Sequence, residues 1–333
     1  MSHKPTIAPD QQRSRVPLPP LLEAGARVCF AYLRNQHGLR DKRPLGRWAA
    51  RTIEFLALAD EQSVVEAEMG SLSVLVSTAD RTIARSVFTS GDWDPLLVGT
   101  VFRALDELGI RYRGSTFLEV GANFGVYSLP AVAEHGFGRA IAYEPDPAAF
   151  SLLEQNITRN GLAERVTAYH AALSSAPGEL TLRLGSFNAG DNRIVSNGNG
   201  YSNGAGPAEH GSTTVRVPAR TLDDEVAAGR IVPAELGMVW LDVQGHEYEV
   251  LLGGRRVLQS PAALVVEYCT AMMDDVSRRG LERLIAEHYD VMVDLGWSAL
   301  TNRLRFQPAS AVTELAADGR AVETDLLLLH LPH

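Results

Sequence analysis

Short apolar runs alternate with amphipathic stretches from about residue 95 to the end of the chain. Runs of strand length fall at 116–120, 140–144, 166–170, 238–242, 264–268, 291–295 and 325–331. Helical periodicity fits between them, most clearly over 126–134, 147–160 and 247–258. Strands that are apolar on both faces and alternate with helices predict an α/β fold, a mostly parallel sheet covered on both sides. Upstream, 21–36 and 45–59 read as helices. The runs 64–68 and 72–76 flank Met69-Gly70-Ser71 and predict a β-hairpin. Prolines at 5, 9, 17, 19 and 20 predict a disordered tail over residues 1–20. The expected organisation is therefore a tail (1–20), a helical and hairpin cap (21–90) and a Rossmann-like domain (91–333). No internal repeat is visible.

One segment breaks the alternation. Residues 186–214 are rich in Gly, Asn and Ser and lie between β-like runs at 179–184 and 213–217. A hairpin with a long flexible tip fits, as either a lid or a surface insertion.

Composition narrows the class. The chain has 333 residues, 45% hydrophobic and 21% charged, which suffices for a core without disulfides. A net charge of -9 argues against a nucleic-acid partner. The basic residues Arg40, Lys42, Arg43, Arg47 and Arg51 read as a solvated helix surface. Cys29 and Cys269 form neither a metal spacing nor a disulfide framework, so a cytoplasmic setting is expected. The polar, proline-rich start is no signal segment, and the apolar run 326–329 is too short for a membrane span. The cap reads as a substrate-side wall or an oligomer contact, so a homo-oligomer stays open.

The sharpest chemistry lies in Glu119-Val120-Gly121-Ala122-Asn123-Phe124-Gly125, where an apolar strand runs into a glycine turn and a helix. Gly121 permits a tight turn and close ligand approach, and Gly125 permits close packing at the helix start. The spacing is not the Gly-x-Gly-x-x-Gly of dinucleotide binders, which argues against a dehydrogenase. Glu119 is placed for the ammonium group of a ligand with an amino-acid tail. Glu144-Pro145 ends the next strand, where a carboxylate accepts both ribose hydroxyls of a nucleoside.

These residues resemble the FkbM family of methyltransferases, over roughly residues 90–270. The pieces come in the family's order: Gly91-Asp92-Trp93-Asp94, the Glu119–Gly125 turn, Glu144-Pro145, and Asn156-Ile157 with Asn160-Gly161-Leu162. Then follow Ala171-Ala172-Leu173-Ser174 with Gly178-Glu179-Leu180, Thr221-Leu222-Asp223-Asp224, and Leu241-Asp242-Val243-Gln244-Gly245-His246-Glu247. The resemblance implies a seven-stranded class I methyltransferase sheet, S-adenosyl-L-methionine as cofactor, and a small hydroxylated acceptor such as a sugar or natural product. It also implies a cofactor-binding set of Asp94, Glu119, Gly121, Ala122, Asn123, Gly125, Ser128, Glu144, Pro145, Asn156, Ala172 and Asp242. Gln244 departs from the family, which usually has Glu there.

Asp242 falls at a strand's carboxyl end, with His246 and Glu247 at the start of the next helix, so three candidate proton acceptors cluster there. His246 is the preferred base, with a rate expected to rise with pH near neutrality. No metal is expected. The sequence leaves two alternatives: a cofactor-binding scaffold without turnover, and a methyltransferase acting on an amine. Base-amine methyltransferases of nucleic acids carry an Asn/Asp-Pro-Pro-aromatic motif where this chain reads Asp242-Val243-Gln244-Gly245.

Overall fold

The computed structural model describes residues 43–185, 188–195, 213–317 and 319–331. The expected tail, the helix at 21–36 and most of the 186–214 tip lie outside the described residues. Two compact units divide the chain, Met1–Glu54 and Phe55–His333, and every sheet lies in the second.

The described chain runs from α1 (Arg43–Ala59) into a hairpin of β1 (Val64–Met69) and β2 (Leu72–Ser77), then α2 (Ile83–Ser90) and α3 (Pro95–Glu107). Alternation follows: β3 (Thr116–Val120), α4 (Ser128–Ala133), β4 (Arg139–Tyr143), α5 (Pro147–Arg159) and β5 (Val166–Tyr169). A four-stranded side sheet comprises β6 (Ala172–Leu173), β7 (Gly178–Arg183), β8 (Arg193–Val195) and β9 (Thr214–Arg220). After α6 (Leu222–Ala227) come β10 (Leu236–Leu241), α7 (Glu247–Leu252), α8 (Arg255–Leu258), β11 (Ala263–Cys269) and α9 (Asp275–His288). β12 (Val291–Asp294), α10 (Leu295–Thr301), β13 (Phe306–Pro308) and β14 (Glu323–Leu329) complete it.

The main sheet has the order β13-β12-β14-β11-β10-β3-β4-β5. β11, β10, β3, β4 and β5 are parallel, and β14 inserts antiparallel between β11 and β12. All seven expected strands are present. The expected seven-stranded sheet is corrected to eight by β13, a three-residue edge strand antiparallel to β12. Its last residue is Pro308, which an edge tolerates because its outer side needs no ladder donor.

Successive side chains feed opposite faces. Phe117, Trp240, Val265 and Leu327 join one apolar cluster with α2 to α5 and the hairpin. Leu118, Leu241, Val266 and Leu328 join the other, with α6 to α9. That two-sided burial is why these strands read as continuous apolar runs.

The helix expected over 247–258 is two helices. A side chain on Gly253 would put its Cβ within 2.2 Å of the Ser174 carbonyl oxygen, and one on Gly254 would meet Leu222 at 2.5 Å. The chain breaks there to pass beneath β6 and α6.

The hairpin is fastened by amides. β1 covers one edge of β2, leaving the Ser73 and Leu75 backbone groups on the other. Asn156 Oδ1 accepts from Leu75 N at 2.6 Å, while its Nδ2 donates to Leu75 O and Phe124 O, both at 3.0 Å. Asn160, one helical turn on, does the same for Ser73. Helical and strand spacing thus coincide, so two amides replace a missing neighbour strand. Asn156→Ala is expected to cost about 2–4 kcal/mol, because three backbone groups lose their partner. Urea unfolding checks the loss, and an unchanged midpoint contradicts this role. No helix among the described residues is long and apolar enough to cross a membrane.

Candidate functional site

The site forms where β3, β4 and β10 end. Gly121 has φ +90°, and an added Cβ would lie 1.9 Å from the Asp242 carbonyl oxygen. Glycine is required because the β3 turn rests on the backbone of the β10 turn. Gly121 N and Ala122 N both donate to Tyr143 O at 3.0 Å, and Asp242 N donates to Val120 O at 3.1 Å. Three strand ends are stitched together before any side chain acts.

A cavity opens over this junction. Of the expected residues, Gly121, Asn123, Glu144, Pro145, Ala172, Asp242 and His246 line it. Glu144 Oε2 accepts from Asn123 N at 2.6 Å and Oε1 from Asp146 N at 2.7 Å. Each oxygen keeps a second lone pair for a ligand hydroxyl. Burial, the largest cause, pushes the Glu144 carboxyl up to about 8, against two hydrogen bonds that lower it.

The other residues of the expected set lie outside the cavity lining. Glu119 is fully buried, and its oxygens accept from Tyr127 N at 3.1 Å and Ser128 N at 2.8 Å. It anchors the start of α4, and burial pushes it up to about 8. Ser128 is its partner. Ala122 is fully buried, and Gly125 (φ +95°) admits Leu129 and Leu153, as close packing at the helix start requires. Asp94 is exposed and caps α3 through Leu97 N at 3.3 Å. Asn156 is spent on the hairpin.

Of the three candidate bases, Glu247 is also supporting: its Oε1 accepts from Val243 N and Gly245 N at 3.2 and 3.1 Å. His246 Nε2 lies 3.0 Å from Ser174 Oγ, and burial lowers the imidazole to about 4. It is neutral throughout the physiological range, so the step expected near neutrality moves far to acid. Asp242 moves the other way, with burial raising its carboxyl above the usual range.

Gln244 bridges carboxylates. Its Nε2 donates to Asp242 Oδ1 at 2.8 Å and Glu267 Oε2 at 3.0 Å. Glu267 is pushed up to about 10 by burial first and then by Asp242 and its acidic neighbours, and Asp325 similarly to about 8. A glutamate at 244 would bring another charge to this cluster; the amide turns two close approaches into hydrogen bonds. Among the described residues no group of His, Cys, Asp and Glu is arranged to hold a metal ion.

Trp93, Tyr127 and Asn192 line the cavity without having been singled out in the sequence. Trp93 sits inside the Gly91–Asp94 motif, which was the available signal. Asn192 comes from the 186–214 segment. Its Nδ2 donates to Asp146 Oδ2 at 2.9 Å and its Oδ1 accepts from Gly185 N at 2.8 Å, so the described part of that segment walls the cavity beside Glu144.

Five parallel strands continued by an antiparallel insertion, with a carboxylate after the second strand, define a class I methyltransferase. The profile of the methyltransferase FkbM domain matches residues 119–297. The chain belongs to this family, whose methyl donor is S-adenosylmethionine. Hexuronic acid methyltransferase AglP of Haloferax volcanii is 28% identical over 149 residues, covering 45% of this chain and 54% of that protein. The chain thus spans about half the length of the curated relative it matches. TYW2 of P. horikoshii, solved with MeSAdo, has a TM-score of 0.39 at 15% identity, covering 80% of this chain and 72% of that one. TYW2 of M. jannaschii, solved with AdoMet, has a TM-score of 0.39 at 9% identity, covering 80% and 85%.

The residues present fit the cofactor. The wall of the cavity from Ala171 to Leu173 is apolar, and Glu144 offers free acceptor positions. If Glu144 holds the ribose hydroxyls, Glu144→Ala is expected to weaken S-adenosylhomocysteine binding by about 1.5–3 kcal/mol. Donors favour the ionised carboxylate, so wild-type affinity is expected to fall as the pH drops below about 8. Calorimetry checks both; unchanged affinity in the folded variant removes the assignment.

Proposed function

We propose that the protein transfers a methyl group from S-adenosylmethionine to a hydroxyl of a sugar or secondary metabolite, with Asp242 as general base. The carrying observation is the placement of Asp242 in the same cavity as Glu144, with one oxygen held by the Gln244 amide. When bound, the cofactor supplies an electrophilic methyl group and its own leaving group. The chain's residues therefore have two tasks, positioning and proton removal.

Glu144 binds the ribose hydroxyls, and the wall from Ala171 to Leu173 packs on the adenosyl group. Asp242 takes the acceptor's proton through Oδ2 while Gln244 fixes Oδ1. A raised carboxyl is a stronger base than the ordinary one, whereas an imidazole held near 4 is a weaker one, which favours Asp242 over His246. Neutral His246 then orients the wall through Ser174. The relative that methylates a hexuronic acid supports an oxygen acceptor, and the carboxylates around Asp242 favour a neutral one. Cysteine use accords with a cytoplasmic setting, Cys269 being a buried free thiol.

Incubation with methyl-¹³C-labelled cofactor and a panel of hydroxylated and amine compounds tests the reading by NMR of the products. Label on a hydroxyl oxygen is expected. Label on nitrogen selects the amine-directed alternative, and cofactor binding without transfer across the panel selects the scaffold.

A further inference from the structure

A second cavity adjoins the first at Trp93 and Tyr127. Trp93, Val126 and Tyr127 line both cavities, so the two share one wall. The wall is held together: Trp93 Nε1 donates to the Tyr127 hydroxyl at 3.0 Å, and the Tyr127 ring stacks on Trp240 at 4.1 Å. Trp240 lines the second cavity and Asp242 the first. They are two residues apart at the end of β10, so their backbones are about 6–7 Å apart along one face of the strand.

The second cavity is mostly apolar and aromatic, with Asp92, Glu134 and His135 among its ionisable side chains. Phe102, Phe117 and Pro130 add to the rings of its wall. Glu134 Oε1 accepts from Ser71 N and Oγ, and the His135 ring stacks on Phe102 at 4.3 Å. A bare sugar, with a hydroxyl on nearly every carbon, would lose more water there than these few side chains can replace. A flat apolar group loses nothing of that kind and gains aromatic contacts.

We propose that this cavity holds an apolar ring portion of the methyl acceptor, which reaches past the Trp93–Tyr127 wall to present its hydroxyl to Asp242. The acceptor is then amphipathic: a hydroxyl-bearing end joined to an aromatic or polycyclic body of one or two rings' width. This rests on the methyltransferase reading above and narrows its substrate class. The Tyr127 hydroxyl, whose burial holds it well above the ordinary phenol range, stays a hydrogen donor in the wall that the two cavities share.

Gly99 offers a clean test. It lines the second cavity from α3, and a Cβ there meets nothing within 4 Å, so a large side chain can be added without a clash at its root. The neutral probe N-phenyl-1-naphthylamine is titrated into the full-length protein with excitation at tryptophan, since Trp93 and Trp240 face the cavity. One saturable site is expected, and it persists when S-adenosylhomocysteine is saturating. Gly99→Trp, and independently Val98→Phe, should weaken the probe by about tenfold or more, while Gly99→Ala leaves it unchanged. Affinity for S-adenosylhomocysteine should stay within about twofold in all three variants, because none lines the first cavity. Absence of a saturable site, displacement of the probe by S-adenosylhomocysteine, or equal binding by both filled variants overturns the proposal. Failure of the wild type to bind S-adenosylhomocysteine is a separate result that strikes the cofactor reading, and the probe titration still decides the cavity.

Discussion

Replacing Asp242 with Asn is expected to lower the methyl-transfer rate by about 10²–10⁴-fold, the span for loss of a general base. The substitution keeps the shape and leaves an oxygen for the Gln244 amide, so cofactor affinity should barely move. A hydroxyl is a poor nucleophile until its proton is leaving, which is why the loss falls on the rate. His246→Ala is expected to cost far less, since an imidazole lowered to about 4 is a weak base. The pH dependence follows the same logic. The active form is the carboxylate, and burial raises its carboxyl, so the wild-type rate should climb through a range above that of ordinary aspartates and then level off. Single-turnover measurements on both variants across pH, with cofactor saturating, check this. A large loss in His246→Ala with a near-normal Asp242→Asn reverses the assignment, and near-normal rates in both leave positioning alone as the source of catalysis.

Gly121→Ala is expected to destabilise the protein by about 3–5 kcal/mol and to abolish measurable cofactor binding in whatever fraction folds. Two independent causes act together. The backbone sits at φ +90°, outside the ordinary range of an alanine, and the new Cβ would lie 1.9 Å from the Asp242 carbonyl oxygen. Relief requires the β3 and β10 turns to part, and that opens the junction on which the cavity rests. A fold has only about 5–15 kcal/mol of stability in total. Chemical denaturation read by circular dichroism measures the first effect and calorimetry the second. An alanine variant of wild-type stability and affinity would show that the turn has freedom the packing denies it.

The most legible elements were strands buried on both faces, and the one-sided alternation of the β1–β2 hairpin was legible too. Strands such as Leu236–Leu241 and Glu323–Leu329 announce themselves because the sheet needs apolar side chains on both faces. Phe306–Pro308 stayed invisible: three residues at an edge need no pattern. The break between α7 and α8 was hidden too. Gly253 and Gly254 fall inside the expected 247–258 helix, and only the fold shows that the Ser174 carbonyl and Leu222 occupy the space of their absent side chains.

In the site, Gly121 and Glu144 were readable because turn geometry and strand-end position are local. Trp93 and Asn192 reach the cavity from distant segments, and periodicity carries no trace of that. Asn156 and Asn160, four residues apart, did carry a signal of two amides on one helix face, but its meaning lay in an exposed strand edge 81 to 87 residues away. Glu119 stands out through its place in the turn motif, and its partners in the fold are the backbone N–H groups of Tyr127 and Ser128. The shift of His246 is a consequence of burial, and burial is a property of the fold.

A crystal structure of the protein with S-adenosylhomocysteine tests the central claim most directly. The account predicts the ribose hydroxyls on Glu144, the adenosyl group along the wall from Ala171 to Leu173, and the sulfur facing Asp242 and the Trp93–Tyr127 wall. A ligand whose ribose lies away from Glu144, or whose sulfur points away from Asp242, would contradict it.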